Sequence, residues 1–371
     1  MRRLLIAALI AFGIAAVACG KDDVGEVKDV GDAEDVTFFP TYGYREGDHW
    51  TIPLRVWVHE PRGLAEDVVT RLASAADDPG PRELDNLRRR IADLVADDES
   101  GEAVACKFDR DPDAAAFRVR NAAGGELETD RNGIIEGFVT LPDARARALL
   151  AAQGSTEGWL SFHAVSADHQ GAGRVRLLEP TGLSVISDVD DTIKVTEIPA
   201  GKKIVVRNTF FRDFAAAPGM AQRYRDLGDA AFHYVSGGPW QLYEPLWEFL
   251  VEGEGGFPEG SIHMKNIRKN LLSADSWEDL HELAGGDATF NQKVAQISEI
   301  LERFPGREFI LVGDSGEKDP DVYRHIRESF PEQIREIRIR DVVNERERNP
   351  ERLSGMTVIE ARTVEEGVSQ F

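Results

Sequence analysis

Cysteine is scarce: Cys19 and Cys106 are the two in a chain of 371 residues. Two thiols cannot build the multi-bridge framework of a small secreted domain, and the four-ligand Cys/His spacing of a structural zinc site is missing. Positive charge is under-represented, with 44 Lys and Arg against 66 Asp and Glu, a balance of −22. A surface that acidic repels nucleic acid and anionic lipid at long range. It excludes nonspecific nucleic-acid binding, and it requires an anionic substrate to be held locally, by a few positive groups or a metal ion. Nothing in the composition suggests collagen, a coiled coil or wholesale disorder. Hydrophobic residues at 42% and charged residues at 30% are an ordinary globular mixture. At roughly 150 residues per domain, the length suggests two domains.

The N-terminus reads as an address. Arg2 and Arg3 precede an apolar and small-residue run from Leu4 to Ala18. A run of about 15 residues is short for a transmembrane helix, which needs about 20, but suits the secretory pattern. Cys19 after Val17-Ala18 points to a lipoprotein-type cleavage, with residues 1–18 as signal peptide and Cys19 lipidated. Residues 19–36 are polar, acidic and poor in aromatics, and read as a tether.

Two textures follow. Residues 37–180 are mostly short strand patterns, as in Trp50 to Val58, where Leu54, Val56 and Val58 alternate with other residues. Asn132-Gly133 is a hairpin signal. A helical insert interrupts the strands at Leu64 to Ser74 and Pro81 to Asp97. The expectation is a β-rich, sandwich-like accessory domain with a helical excursion. From 181 to 371 strands and helices alternate, which predicts an α/β domain with a parallel sheet covered on both faces. In such sheets ligands bind at the carboxyl ends of the strands.

Three apolar strand patterns end in chemically useful residues. The first ends in Ser187-Asp-Val-Asp-Asp-Thr-Ile193. Three carboxylates straight after a buried strand are costly unless something positive sits there, and a hard cation with oxygen ligands is the natural solution. A carboxylate beside a bound divalent ion can also attack a phosphoryl group. The third pattern ends in Leu311-Val-Gly-Asp-Ser-Gly-Glu-Lys-Asp319, a second acidic group at a matched strand end. The second ends in Tyr234-Val-Ser-Gly-Gly-Pro-Trp240. There Ser236, Gly237 and Gly238 form a candidate phosphate seat at a helix start. Lys293 opens the helix leading into the last of these strands, where an ammonium could screen a multiply charged intermediate. Lys265, in Ile-His-Met-Lys265, competes with it for that place.

Taken together, these four motifs resemble those of the haloacid dehalogenase superfamily. More narrowly, Ser-Gly-Gly-Pro-Trp-Gln-Leu-Tyr and Gly-Asp-Ser-Gly-Glu-Lys-Asp-Pro resemble the catalytic domain of the actin-patch-associated phosphatidate phosphatases and their bacterial relatives, over about residues 182–345. The resemblance implies a Rossmann-like catalytic domain and a Mg²⁺ cofactor. It implies Asp188 as nucleophile and metal ligand. Asp190 would be the general acid/base and lend the metal a main-chain carbonyl. Thr192 would brace the loop, Ser236 bind a phosphate oxygen and Lys293 stabilise the phosphoenzyme. Asp314 would be the outer metal ligand, with Asp319 a second acidic partner.

The substrate class stays open between a phosphorylated lipid, phosphatidate above all, and a small soluble phosphomonoester. A non-enzymatic envelope module whose acidic loop holds a cation is the third reading. Phe210, Phe211, Phe214, Phe249, Phe257 and Trp277 lie between the motifs, and would form either a lipid-contacting mouth or ordinary core. Arg207 and Arg212 are candidate phosphate contacts. Export to a bacterial cell envelope, either lipid-anchored at a membrane face or free in the periplasm, is the expected location.

Overall fold

The computed structural model describes residues 34–60, 69–70, 73, 79–166, 168–253, 255–265 and 287–361. The signal-like run, Cys19, most of the tether, most of Leu64 to Ser74, and Trp277 lie outside the described residues. The described residues fall in one compact unit, and they contain two sheets.

The first sheet has ten strands: β1 (Glu34–Phe38), β2 (Thr41–Glu46), β3 (His49–Glu60), β4 (Asp97–Asp98), β5 (Ala105–Phe108), β6 (Ala116–Arg118), β7 (Ile134–Pro142), β8 (Trp159–Ala164), β9 (His169–Gln170) and β10 (Ala172–Leu177). Hydrogen bonds run in the order β6-β5-β8-β10-β2-β3-β1-β9, with β4 and β7 also on β3. The sheet curls over its own core until Phe38 of β1 meets Phe162 of β8, ring centroids 5.1 Å apart. Cys106 is buried there among apolar neighbours, and burial pushes its thiol up to about 12. It is a core residue, not a reactive one. Between β3 and β4 the chain forms helix α1 (Pro81–Ala92), where the sequence pattern places a helical insert.

Two features depart from the sequence expectation. Asp143–Gln153 is a helix, α2, ended by Gly154 in the left-handed region, inside a stretch that reads as strands. Its signal is weak because only Ala146 and Leu149 are buried. Asn132-Gly133 makes a turn but not a two-strand hairpin. Asp130 Oδ1 accepts the N–H groups of Asn132 and Ile134, and β7 pairs instead with the long strand β3.

The second sheet is wholly parallel, in the order β13-β12-β11-β14-β15-β16. Its strands are β11 (Thr181–Asp188), β12 (Ala231–Pro239), β13 (Gly260–Lys265), β14 (Gly306–Asp314), β15 (Ile334–Asp341) and β16 (Thr357–Glu360). Both faces are covered. Val185, Phe232, Ile310 and Val312 enter one core, while Ile186, Val235, Phe309 and Leu311 enter the other. That double burial is why these strands read as continuous apolar runs rather than alternating ones. The long helices Asp287–Arg303 and Asp319–Ser329 cover the second core.

The two sheets share packing. Phe39, Trp57 and Ile134 of the first belong to the same buried cluster as Val185 and Phe232 of the second. Ile262 N–H donates to the Pro40 carbonyl, and Arg55 donates to the Met264 carbonyl. Helix α1 leaves the β-rich region and docks on the segment after β11, which consists of α3 (Lys202–Val206) and the π-helical turn Arg207–Phe211.

Candidate active site

Strands β11, β12 and β14 are neighbours in one parallel sheet, so their carboxyl ends deliver Asp188, Ser236 and Asp314 to one edge. Past Asp188 the chain turns sharply: Ile193 and Lys194 N–H groups both donate to the Val189 carbonyl at 3.0 Å. Asp191 takes the left-handed region with φ 53°. Its carboxylate accepts the N–H groups of Thr196, Glu197 and Ile198 at 2.6–2.9 Å. Asp191 therefore builds the loop and does not face the cation site. The sequence cluster of three carboxylates divides into three separate tasks.

Asp188 is 1% exposed. Its Oδ1 accepts Lys293 Nζ at 2.7 Å, and its Oδ2 accepts the Thr192 hydroxyl at 2.9 Å. Thr192 thus braces the carboxylate itself as well as the loop. Lys293 Nζ also donates to Asp319 Oδ1 at 2.6 Å and lies 3.5 Å from Glu317. Of the two candidate lysines, Lys293 stands against Asp188. Lys265 is buried at the end of β13, two strands across from β11.

Asp314 Oδ1 accepts the N–H groups of Gly316 and Glu317 at 2.6 and 3.2 Å. Asp314 Oδ2 is buried without a hydrogen-bond partner. Asp319, expected as a second metal partner, is tied to Lys293 and to the Asp314 N–H. Glu317 takes the place beside the other two: oxygens of Asp188, Asp314 and Glu317 lie within 4.8 Å of one another. Glu317 was visible in the sequence inside Gly-Asp-Ser-Gly-Glu-Lys, but no spacing rule singles it out from there. Gly313 allows this crowding, because a Cβ on it would come within 2.5 Å of Asp319 Oδ2 and 2.7 Å of the Tyr323 ring.

The carboxylates of this group raise one another's affinity for protons. Burial, with Asp319 and Glu317 nearby, holds the Asp314 carboxyl well above the usual range. Burial raises Asp188 in the same way, against the pull of Lys293. Burial pushes Glu317 up to about 7. Lys293 is held charged: burial opposes its charge, but Asp188, Asp319 and Glu317 outweigh it. Among the described residues, the four carboxyl groups of Asp188, Asp314, Glu317 and Asp319 gather around the one ammonium of Lys293. A hard divalent cation with oxygen ligands fits that imbalance, and it fits the unpartnered Asp314 oxygen.

Asp190 lies apart from this group. Lys194 pairs with it at 2.7 Å and the Thr196 hydroxyl donates to it at 2.6 Å. Burial raises its carboxyl, but these two partners together hold it below the ordinary value. Neither Lys194 nor Thr196 carries a sequence signal of its own.

Ser236, Gly237 and Gly238 lie at the end of β12, immediately ahead of a helical segment. Pairing of Pro239 with Lys265 extends the strand past them, after a register shift. The 3-10 turn Trp240–Leu242, the helix Tyr243–Trp247 and the π-helical turn Glu248–Glu252 follow in one run. Ser236 Oγ accepts the Gly238 N–H at 3.0 Å. These three residues line a pocket with Asp190, Lys194 and Glu317. Phe210 and Phe214 line it too, Phe210 from the buried cluster it shares with Phe211, while Phe249 and Phe257 belong to another buried cluster. Arg207 pairs with Glu83 at 3.2 Å and Arg212 donates to Asn208. The structure brings neither arginine into the pocket lining.

Residues 183–341 match the family model described as "Phosphatidate phosphatase APP1, catalytic domain". Over 168 residues, 44% of this chain, the sequence is 34% identical to phosphatidate phosphatase APP1 of Saccharomyces cerevisiae, covering 26% of that protein. Over 175 residues it is 29% identical to an uncharacterized protein of Schizosaccharomyces pombe, covering 27% of it. The chain spans about a quarter of the length of these curated relatives. The matched segment holds every carboxylate, hydroxyl and lysine of the site.

Proposed function

We propose that this chain is a divalent-cation-dependent phosphomonoester hydrolase that works through an aspartyl-phosphate on Asp188, with phosphatidate as the substrate. The observation that carries the reading is a buried carboxylate, Asp188, held at one oxygen by Lys293 and at the other by Thr192, inside the segment similar to a phosphatidate phosphatase catalytic domain. The cation, Mg²⁺ in this reading, would be held by Asp188, Asp314 and Glu317, with the Asp190 main chain as a further donor. It would supply positive charge opposite the phosphate oxygens.

Asp188 attacks phosphorus, a new P–O bond forms, and the bond to the leaving alcohol breaks. A proton from the Asp190 carboxyl goes to the departing alkoxide. Water then attacks the aspartyl-phosphate, Asp190 takes its proton, and the bond to Asp188 breaks to free orthophosphate. Lys194 and Thr196 keep Asp190 ionised in the free protein, the state that serves the second step. The dianionic substrate, arriving beside it, favours the protonated form that serves the first. Ser236 and the Gly237-Gly238 main chain would hold a phosphate oxygen, and Lys293 would screen the phosphorylated Asp188.

The balance of −22 supports a second reading, in which the substrate is a small soluble ester that need not approach an anionic surface. Export, with Cys19 as a lipid-bearing residue, rests on the Arg2-Arg3 and Leu4 to Ala18 pattern. Phosphate release from mixed-micelle phosphatidate and from p-nitrophenyl phosphate, each with Mg²⁺ and with EDTA, tests the proposal. Metal-dependent release that favours the lipid is expected, together with its loss in a folded Asp188→Asn variant. Undiminished turnover in that variant would remove Asp188 as nucleophile.

A further inference from the structure

The catalytic reading makes no use of the apolar part of the pocket, nor of the helical excursion from the β-rich region, and the two coincide. The pocket leaves about 70 Å³ free for the centres of water-sized molecules, and it opens to solvent. Asp190, Lys194, Ser236 and Glu317 are among its polar lining residues. The rest of the wall includes Val206, Phe210, Leu242 and Leu246, and also Leu94. Leu94 is the one described residue before position 180 in that lining.

The turn Asp93–Val95, which continues α1, delivers Leu94 and packs against Trp240–Leu242. Its place is firmly held. Leu87, Ile91 and Leu94 share a buried cluster with Val206, Phe210 and Phe211. Asn86 donates to the Phe211 carbonyl at 2.8 Å, and Arg90 donates to the carbonyls of Thr209 and Arg212 at 2.9 and 2.6 Å. Phe214, another lining residue, has the Arg90 guanidinium 3.9 Å and the Lys194 ammonium 4.6 Å from its ring centroid. Water finds few partners along such a wall, whereas hydrocarbon loses nothing there.

We propose that this slot seats one unbranched hydrocarbon chain of the phosphomonoester, and that the β-rich region helps set the chain length through Leu94. The head-group side of the inference rests on the phosphomonoesterase reading; the chain side rests on the lining alone.

Calorimetric titration of the full chain in Mg²⁺ with n-alkyl phosphonates, from ethyl to decyl and below their micelle concentrations, tests it without turnover. Affinity should rise about fourfold per added methylene until the slot is full. Leu242→Trp, at a half-buried position in the wall, should end that rise at a shorter chain. Leu94→Ala should move the plateau to longer chains, and Leu94→Phe to shorter ones. Should Leu94→Ala fail to fold, the other two variants decide. Affinity independent of chain length, or no binding across the series, overturns the slot. A plateau unmoved in folded Leu94 variants overturns the part assigned to the β-rich region. Alkyl phosphates that resist hydrolysis, while the phosphonates keep their slope, support the slot and defeat the phosphatase reading instead.

Discussion

Lys293 is 2% exposed and meets Asp188, Asp319 and Glu317 at once. A buried charge without compensation costs several kcal/mol, so each member of this group depends on the others. The imbalance also gives the metal-free protein a definite pH response. Glu317 has its carboxyl raised from 4.5 to about 7 by burial. The folded state then binds a proton that the unfolded state has released, and stability falls wherever that holds. The contribution is whole below about pH 4.5 and is lost as the pH rises to about 7. Asp188 and Asp314 are shifted in the same direction. In EDTA the melting temperature should therefore decline across that window. Saturating Mg²⁺ should remove the decline, because the cation stabilises the ionised forms, and Glu317→Gln should make it shallower without metal, leaving the part due to Asp188 and Asp314. A flat profile in EDTA for the unmodified chain would mean that the carboxylates are already neutralised from elsewhere.

At the scale of elements, α1 acts as a clamp on the segment that follows the Asp188 loop. The loop runs from Asp188 through the Asp191-capped turn into α3 and the π-helical turn Arg207–Phe211. Wide turns of this kind often mark functional sites, and here one carries Thr209 and Phe210 to the pocket. Asn86 is 2% exposed and bridges α1 to the Phe211 carbonyl and the Asp213 carboxylate. Asn86→Ala leaves that buried carbonyl without its donor and should cost about 1–3 kcal/mol in urea unfolding. A change within experimental error would show that water replaces the amide, and that the clamp relies on the apolar cluster alone. The strand ends need less support. Each is one step from a parallel neighbour, and Tyr323 further ties its hydroxyl to the Val312 carbonyl at 2.8 Å.

For the whole molecule the governing quantity is the balance of −22. A chain that acts on phosphatidate must approach a surface of its own sign. Screening shortens from about 30 Å at 0.01 M salt to about 8 Å at 0.15 M. Co-sedimentation with phosphatidate-containing vesicles should therefore increase over that range, the reverse of what a basic patch would show. A decrease would reveal a local positive face that outweighs the net charge. The same acidity makes the site's one direct lysine contact to Asp188, and the cation it calls for, the local means of holding an anion.

How far the sequence carries can be seen residue by residue. Asp188, Asp314 and Ser236 were legible because each closes an apolar run, and in a parallel sheet buried on both faces such runs are necessarily strands. Backbone chemistry and strand burial are local, so they leave a linear trace. The helix Asp143–Gln153 left almost none, since so few of its side chains are buried. Other facts belong to tertiary structure alone. Lys293 rather than Lys265 meets Asp188, Glu317 rather than Asp319 completes the oxygen cluster, and Asp191 caps a loop instead of facing a cation. Leu94, nearly a hundred residues ahead of Asp190, lines the same pocket. Each is a matter of which side chains meet across distant segments. Distances of a few ångströms decide charge pairing and desolvation, and the order of residues along a chain does not contain them.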